Sequence, residues 1–300
     1  MYRLFIIARH NFKQAIIQPI FTLMILLGVA ILIVFAQLPF FTLGEDTRMF
    51  KAVSLDVILL LTLISTLLAT SKSIYEEIED RTMLTLMSKP LDRWQVLVGK
   101  YIGLSLSAAL SIAVLGITMA AAVYYRVPGD YMLRTNALLP DDVKQLVDTR
   151  AMHMAGVWPS MILMWLQVSV LAAISVAIST RMSFVVNLPA VILVYVAGNM
   201  TRFIDAATID RNAVVRSVGW AVETLLPFLQ VFDLRQYTVF STIRLNGSIF
   251  QGDTSPTAIF PIQMWNSTAV AGLYALLYVT AALGVGLLSF RTRELGGAEG

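Results

Sequence analysis

From Ser71 to Lys100 the chain reads SKSIYEEIEDRTMLTLMSKPLDRWQVLVGK. Five carboxylates (Glu76, Glu77, Glu79, Asp80, Asp92) and five bases (Lys72, Arg81, Lys89, Arg93, Lys100) share these positions. Ser73 and Glu76 have the spacing of a capping box, in which each side chain satisfies a free backbone N–H at a helix start. Glu77 precedes Arg81 by four, the favourable order for a helical ion pair. Ile74, Tyr75 and Ile78, then Met83, Leu86 and Met87, give an apolar side at helical spacing. Pro90 interrupts, and its missing N–H suits the first turn of a second short helix. The pattern predicts helix, break, helix along a membrane surface. Read plainly, this is a solvated connector between two apolar runs.

Other chemistry is sparse. Met152-His153-Met154 offers thioether and imidazole groups, which suit soft Cu(I). Met161 and Met164 follow at helical spacing, and methionine equally serves as adaptable packing. No G-x-x-x-x-G-K-[ST] occurs, since Gly99-Lys100 runs into Tyr101, so ATP needs a separate subunit. H-E-x-x-H is absent, and the two histidines, His10 and His153, assemble no evident zinc site or triad. Having no cysteine, the chain makes neither disulfides nor zinc–thiolate sites.

The elements that must position these groups are membrane spans. The chain is 57% hydrophobic and 14% charged, with a mean hydropathy of +0.74. A soluble domain carries about 25% charged residues, so this is an integral membrane protein. The expected architecture is all-α and a single transmembrane domain. It has an interfacial amphipathic helix over residues 1–13 and six spans: Pro19–Phe41, Val57–Ser71, Tyr101–Tyr125, Val157–Thr180, Phe184–Thr201 and Thr268–Phe290. The first apolar run is too long for a signal peptide's core. The stretches 126–156 and 202–267 read as outer loops, with Gly247, Gly252 and Pro256 as loop punctuation. On this reading Arg126 is a loop residue whose charge is dispensable, and no span carries an ionisable group. Asp56 and Lys100 fall at span edges. Ion-coupled antiport and intramembrane proteolysis normally require such groups.

Polar residues inside the spans are mostly hydroxyls and amides. Ser107, Ser111, Gln167 and Asn187 are the candidate substrate-path residues, against the alternative that they form interhelical hydrogen bonds. Pathway walls without charge favour an apolar, lipid-like or neutral cargo.

Three blocks resemble one family: Glu77-Ile-Glu-Asp-Arg-Thr82, then Leu86-x-Ser88-Lys89-Pro90-x-x-Arg93-Trp94, then Gly99-Lys100. Together they resemble the cytoplasmic gate-and-coupling segment of ABC type-2 permeases, the membrane subunits of ATP-driven exporters, and most of all the branch linked to multi-copper enzyme maturation. Arg81 stands where many relatives place a glycine. Leu226-Pro227-Phe228-x-x-Val231-Phe232-Asp233 resembles a motif that relatives carry before the last span, where short helices re-enter the outer leaflet.

The resemblance implies two copies of this chain, or one with a paralogous permease, in the bacterial cytoplasmic (inner) membrane. Two cytoplasmic ABC ATPase subunits would hold the ATP and Mg. This chain would itself need no cofactor and bind no nucleic acid, only membrane lipid. On the same resemblance Glu77 and Arg93 would contact the ATPase, Thr82 and Pro90 would set the turn, and Lys100 would anchor at the phosphate layer. Two rivals stay open. One is a non-transporting scaffold or assembly factor for a periplasmic partner. The other is a lipid-acting membrane enzyme using groups such as Asp141, Asp142, Asp210 and His153.

Half of the 22 Lys and Arg fall on the N-terminal side of this topology, in loops about half as long in total as those opposite. Both termini are therefore expected inside. Single cysteines at Asn136 and Gly252, on this cysteine-free background, should react with an impermeant maleimide in intact cells. Labelling only after the inner face is opened would reverse the orientation.

Overall fold

The computed structural model describes residues 2–38, 46–73, 92–132, 147, 150, 153–154, 156–201, 226–233 and 256–291. They form seven long helices: α1 (Tyr2–Ile17), α2 (Pro19–Gln37), α3 (Asp46–Ser71), α4 (Arg93–Met132), α5 (Val157–Ser179), α6 (Phe184–Asn199) and α7 (Pro256–Arg291). A 3₁₀ turn covers Leu229–Phe232. Helix suits a lipid solvent because each backbone group finds its partner within the same segment.

Stretches of α2, α3, α4, α5 and α7 are long and apolar enough to cross a membrane. The sixteen residues of α6 span about 24 Å, against a hydrocarbon core of about 30 Å. The 3₁₀ turn sits over its end. Gln230 Nε2 donates to the Asn199 carbonyl at 2.6 Å, and the Phe228 N–H donates to the Tyr274 hydroxyl at 2.7 Å. Leu229 and Phe232 are buried in the main core. The short helical element expected before the last span is thus present.

The helices overrun the limits set by hydropathy. α3 begins at Asp46 and carries Arg48, Lys51 and Asp56. α4 begins at Arg93, not Tyr101, and carries Lys100 and Arg126. α7 begins at Pro256, so that proline opens a helix instead of punctuating a loop. The expectation of charge-free spans therefore fails for α3 and α4, and holds for α2, α5, α6 and the Met264–Phe290 stretch of α7. Hydropathy marks where lipid contact ends, whereas helix propagates until a stop residue or a cap ends it. Lys51 is fully buried, so protein and not lipid surrounds it.

Arg126 also departs from expectation. It lies within α4 and donates to the carbonyls of Phe35 (3.0 Å), Ala36 (2.8 Å) and Leu38 (2.8 Å) at the end of α2. Its guanidinium stacks over Phe50. The last carbonyls of a helix lack intrahelical donors and carry partial negative charge, so a cation there is favourable. Arg126 is a helix cap, and its charge is not dispensable.

α5 is the central helix, packed against α3, α4, α6 and α7. α1 lies on the first turns of α4. There Gly99 and Gly103 let the backbones approach: a Cβ at Gly103 would sit 2.6 Å from the Ala8 carbonyl oxygen and 2.9 Å from the Phe12 nitrogen. A side chain cannot share that space, so the Gly-x-x-x-Gly spacing is what seats α1. Arg93 meets Phe290, and Asn11 meets Lys100, so both ends of the helical array, Tyr2 and Arg291, lie on one face. We call it the terminal face and its opposite the far face.

Gly103→Val should lower stability by about 1–3 kcal/mol through overpacking. Gly284→Ala, where an added Cβ meets nothing within 4 Å, should be neutral. Thermal unfolding of the two variants in detergent checks this, and equal melting temperatures would remove the close-approach argument.

Candidate functional site

The segment singled out by the sequence joins α3 to α4. Residues 74–91, and with them Glu77, Thr82 and Pro90, lie outside the described residues, as does the expected break within the segment. Its two ends are described, and they are fastened together. α3 winds into a wider π turn at Lys72 and Ser73. The Lys100 ammonium, on the second turn of α4, donates to the Ser73 carbonyl. The Ser73 hydroxyl donates to Asn11 Oδ1, and Asn11 Nδ2 donates to the Lys100 carbonyl at 2.8 Å. Three elements, α1, α3 and α4, close on one triangle of side chains, all of it buried.

Lys100 is 3% exposed. A lysine anchored at the phosphate layer would extend its ammonium outward; this one turns inward and binds backbone. The helix beginning near Pro90 is also not short. It starts at Arg93, where the Gln95 N–H donates to the Asp92 carbonyl, and runs unbroken into the span.

One residue before Lys72, the same end of α3 enters a second polar hub. The Asn187 amide nitrogen lies 2.6 Å from the Ser71 hydroxyl and 2.9 Å from those of Ser175 and Ser179. Ser179 passes its own proton to the Ser175 carbonyl. One N–H₂ has two protons for three oxygens, so the hydroxyls must share them. This hub binds α3, α5 and α6. Ser71 and Ser73 therefore leave α3 clamped on two sides, just before the connecting segment begins.

Arg93 contacts its own chain. Its guanidinium donates to the Phe290 carbonyl at 3.0 Å and lies 5.7 Å from the Phe290 ring centre. Arg181, between α5 and α6, reaches the Ser289 carbonyl at 3.5 Å. Two cations thus cap the end of α7, as Arg126 caps α2 on the far face.

The four candidate substrate-path residues are buried between helices. Ser107 bonds the Leu104 carbonyl, and the Thr62 hydroxyl donates to Ser111 at 3.4 Å. Asn187 is the hub just described. Gln167, 2% exposed, keeps its Nε2 without a hydrogen-bond partner. Ser111 and Asn187 bond between helices, whereas Ser107 bonds back onto its own helix α4. Gln167 differs from them in holding an unspent donor in an apolar interior, which is costly unless another state satisfies it.

Met152 lies outside the described residues. His153 is buried on the far face. Burial, then the charges of Lys51 and Arg48, push its imidazole down to about 3, so it is neutral near pH 7. Met154 packs against the main core, and Met161 and Met164 lie within it, so these methionines fill space.

Asn11 and Gly103 had not been singled out from the sequence. The Gly99-x-x-x-Gly103 spacing was a readable signal for close packing. Asn11 had only a weak one, a polar residue between Ala8 and Ala15 on the same face of α1.

Asn11→Ala and Lys100→Met should each cost about 1–3 kcal/mol, because each strands buried partners. Since both strip the same triangle, the double variant should cost less than the sum by at least about 0.5 kcal/mol. Strict additivity in thermal unfolding would mean that the two residues act independently.

A search of curated proteins returned no match. The family model described as "ABC-2 family transporter protein" matches residues 5–295, from the first turns of α1 to beyond α7. The match covers both polar hubs and both arginine caps. The described residues form a helical array with five helices of membrane length, and this chain belongs to the ABC-2 family of transporter proteins.

Proposed function

We propose that this chain is the permease subunit of an ATP-driven exporter, docking its 72–100 coupling segment on a separate ATPase at the terminal face. That face would then be cytoplasmic, in a bacterial inner membrane. Two permease copies, or this chain with a similar one, would pair with two ATPase subunits carrying ATP and Mg.

The observation that carries the reading is the clamp at the two ends of the segment. A load applied between residues 74 and 91 reaches Ser73 and Lys100 together. It passes to α1 and α4 through the buried triangle, and to α5 and α6 through Ser71 and Asn187. A free loop would absorb such a load in its own dihedrals. A stapled loop transmits it as movement of packed helices, the kind of displacement that alternating access requires. Gln167 supports the same reading, since an unspent mid-membrane donor suits a site that pairs only when helices shift.

The cleanest probe is Glu77, because Arg93 already serves the fold. On this reading the Glu77 side chain faces water until the ATPase docks, so Glu77→Lys should leave membrane abundance nearly unchanged, as charges in water contribute less than about 1 kcal/mol. ATPase association should weaken at least about thirtyfold, because an opposed charge at an interface costs roughly 2–5 kcal/mol. Arg134→Glu, between α4 and α5, is the control and should do neither. Copurification of the tagged chain with its ATPase, alongside ATP-dependent export, measures both. Full association and full export in Glu77→Lys would reduce the segment to a connector.

A further inference from the structure

A cleft of about 660 Å³ opens on the terminal face where α1 turns into α2. One stripe of α1 lines it: His10, Lys13, Gln14 and Ile17, at i, i+3, i+4 and i+7. The opposite side of that helix, with Ala8, Asn11 and Ala15, is spent on packing. Gln18 and Pro19 form the floor, at an extended break in the backbone (φ −61°, ψ 127° at Gln18). Lys72 enters from the end of α3. Two distant parts of the chain, α1 and the end of α3, thus contribute lysines to one opening beside the start of α2.

The lining is not only basic. Ile17 is 76% exposed, an apolar side chain at the level where lipid headgroups give way to chains. Gln14 holds a buried Oε1 with no hydrogen-bond partner. The site therefore combines cations for an anion, an unspent acceptor that needs a hydroxyl or ammonium donor, and an apolar rim. A soluble inorganic anion uses only the first of these. A phospholipid with an anionic, hydroxyl-bearing headgroup uses all three: phosphate toward Lys13 and Lys72, headgroup hydroxyl toward Gln14, and acyl chains along Ile17 and α2.

We propose that the α1–α2 cleft is a specific site for an anionic phospholipid headgroup of the phosphatidylglycerol type. Basic recesses between spans at a membrane surface fit such headgroups. An occupant there would tie the end of α3 to α1 from the lipid side, opposite the Asn11–Ser73–Lys100 triangle. The proposal does not depend on ATP coupling.

The test uses the purified full chain in detergent. Thermal unfolding is followed while phosphatidylglycerol, or phosphatidylcholine with the same acyl chains, is titrated in; specific binding raises the melting temperature with concentration. Phosphatidylglycerol should act at lower concentration than phosphatidylcholine. Each base near an anionic headgroup contributes roughly a fivefold factor, so Lys13→Gln with Lys72→Gln should weaken the response about 25-fold. Arg9→Gln, an exposed base on α1 outside the cleft, should leave it unchanged, and Lys13→Arg with Lys72→Arg should preserve it.

A second reading does not rely on removing charge. A fluorophore at Gln18→Cys should be quenched more by headgroup-spin-labelled phosphatidylglycerol than by the phosphatidylcholine counterpart. Equal response to both lipids, or an Arg9→Gln loss as large as the double variant's, would overturn the site. So would full stabilisation by millimolar inorganic phosphate or glycerol 3-phosphate, which would mark a soluble-anion site instead.

Discussion

The buried bond from the Lys100 ammonium to the Ser73 carbonyl is the constraint on which the terminal face depends. An ammonium inside a membrane protein is costly unless its protons are spent. Here the partner is the backbone carbonyl of Ser73, where α3 widens into a π turn. The arrangement works only if α3 brings Ser73 close to the start of α4. It also requires α1 to lie against α4, because Asn11 closes the triangle. Gly103 makes that approach feasible. One charged side chain thus sets the positions of three helices.

The same logic recurs wherever a helix ends. Lipid offers no hydrogen bonds, so the last carbonyls of each span need donors from protein or from water. Arg126 serves the end of α2; Arg93 and Arg181 serve the end of α7. Each donor comes from outside the helix it caps, so capping doubles as tertiary bonding. An arginine at a span edge in this fold therefore has structural work before any partner arrives. That is why reversing Arg93 would confound a docking experiment, while Glu77 remains a usable probe.

The polar side chains of this chain are mostly spent on tying helices together. The described residues bring together no group of three or more His, Cys, Asp or Glu. They bring together hydroxyls, amides and one ammonium around the exit of α3. Ser71 faces the Asn187 hub and Ser73 faces the Lys100 triangle, two residues apart on a single strand of backbone. Such a junction can carry force in two directions at once, toward α4 with α1 and toward α5 with α6.

The sequence by itself determined the class and placed five of the six expected spans, the sixth being the shorter apolar helix α6. Apolar runs of membrane length are a local property, because lipid tests each segment separately. The 71–100 stretch stood out for the same reason, as a charged helical pattern between two such runs. Even the motif ending in Val231-Phe232-Asp233 was legible as a short element before the last span. Only the tertiary structure decided where the helices stop and what their polar residues do. Hydropathy could not see that Asp46–Ser71 and Arg93–Met132 run on as helix past their apolar limits. Nor could it tell a cap such as Arg126 from a loop charge, or a buried staple such as Lys100 from a surface anchor. Those roles depend on partners far along the chain, 91 residues away for Arg126 and Phe35 and 27 for Lys100 and Ser73. Burial and pairing are properties of the packed array, and no local pattern encodes them.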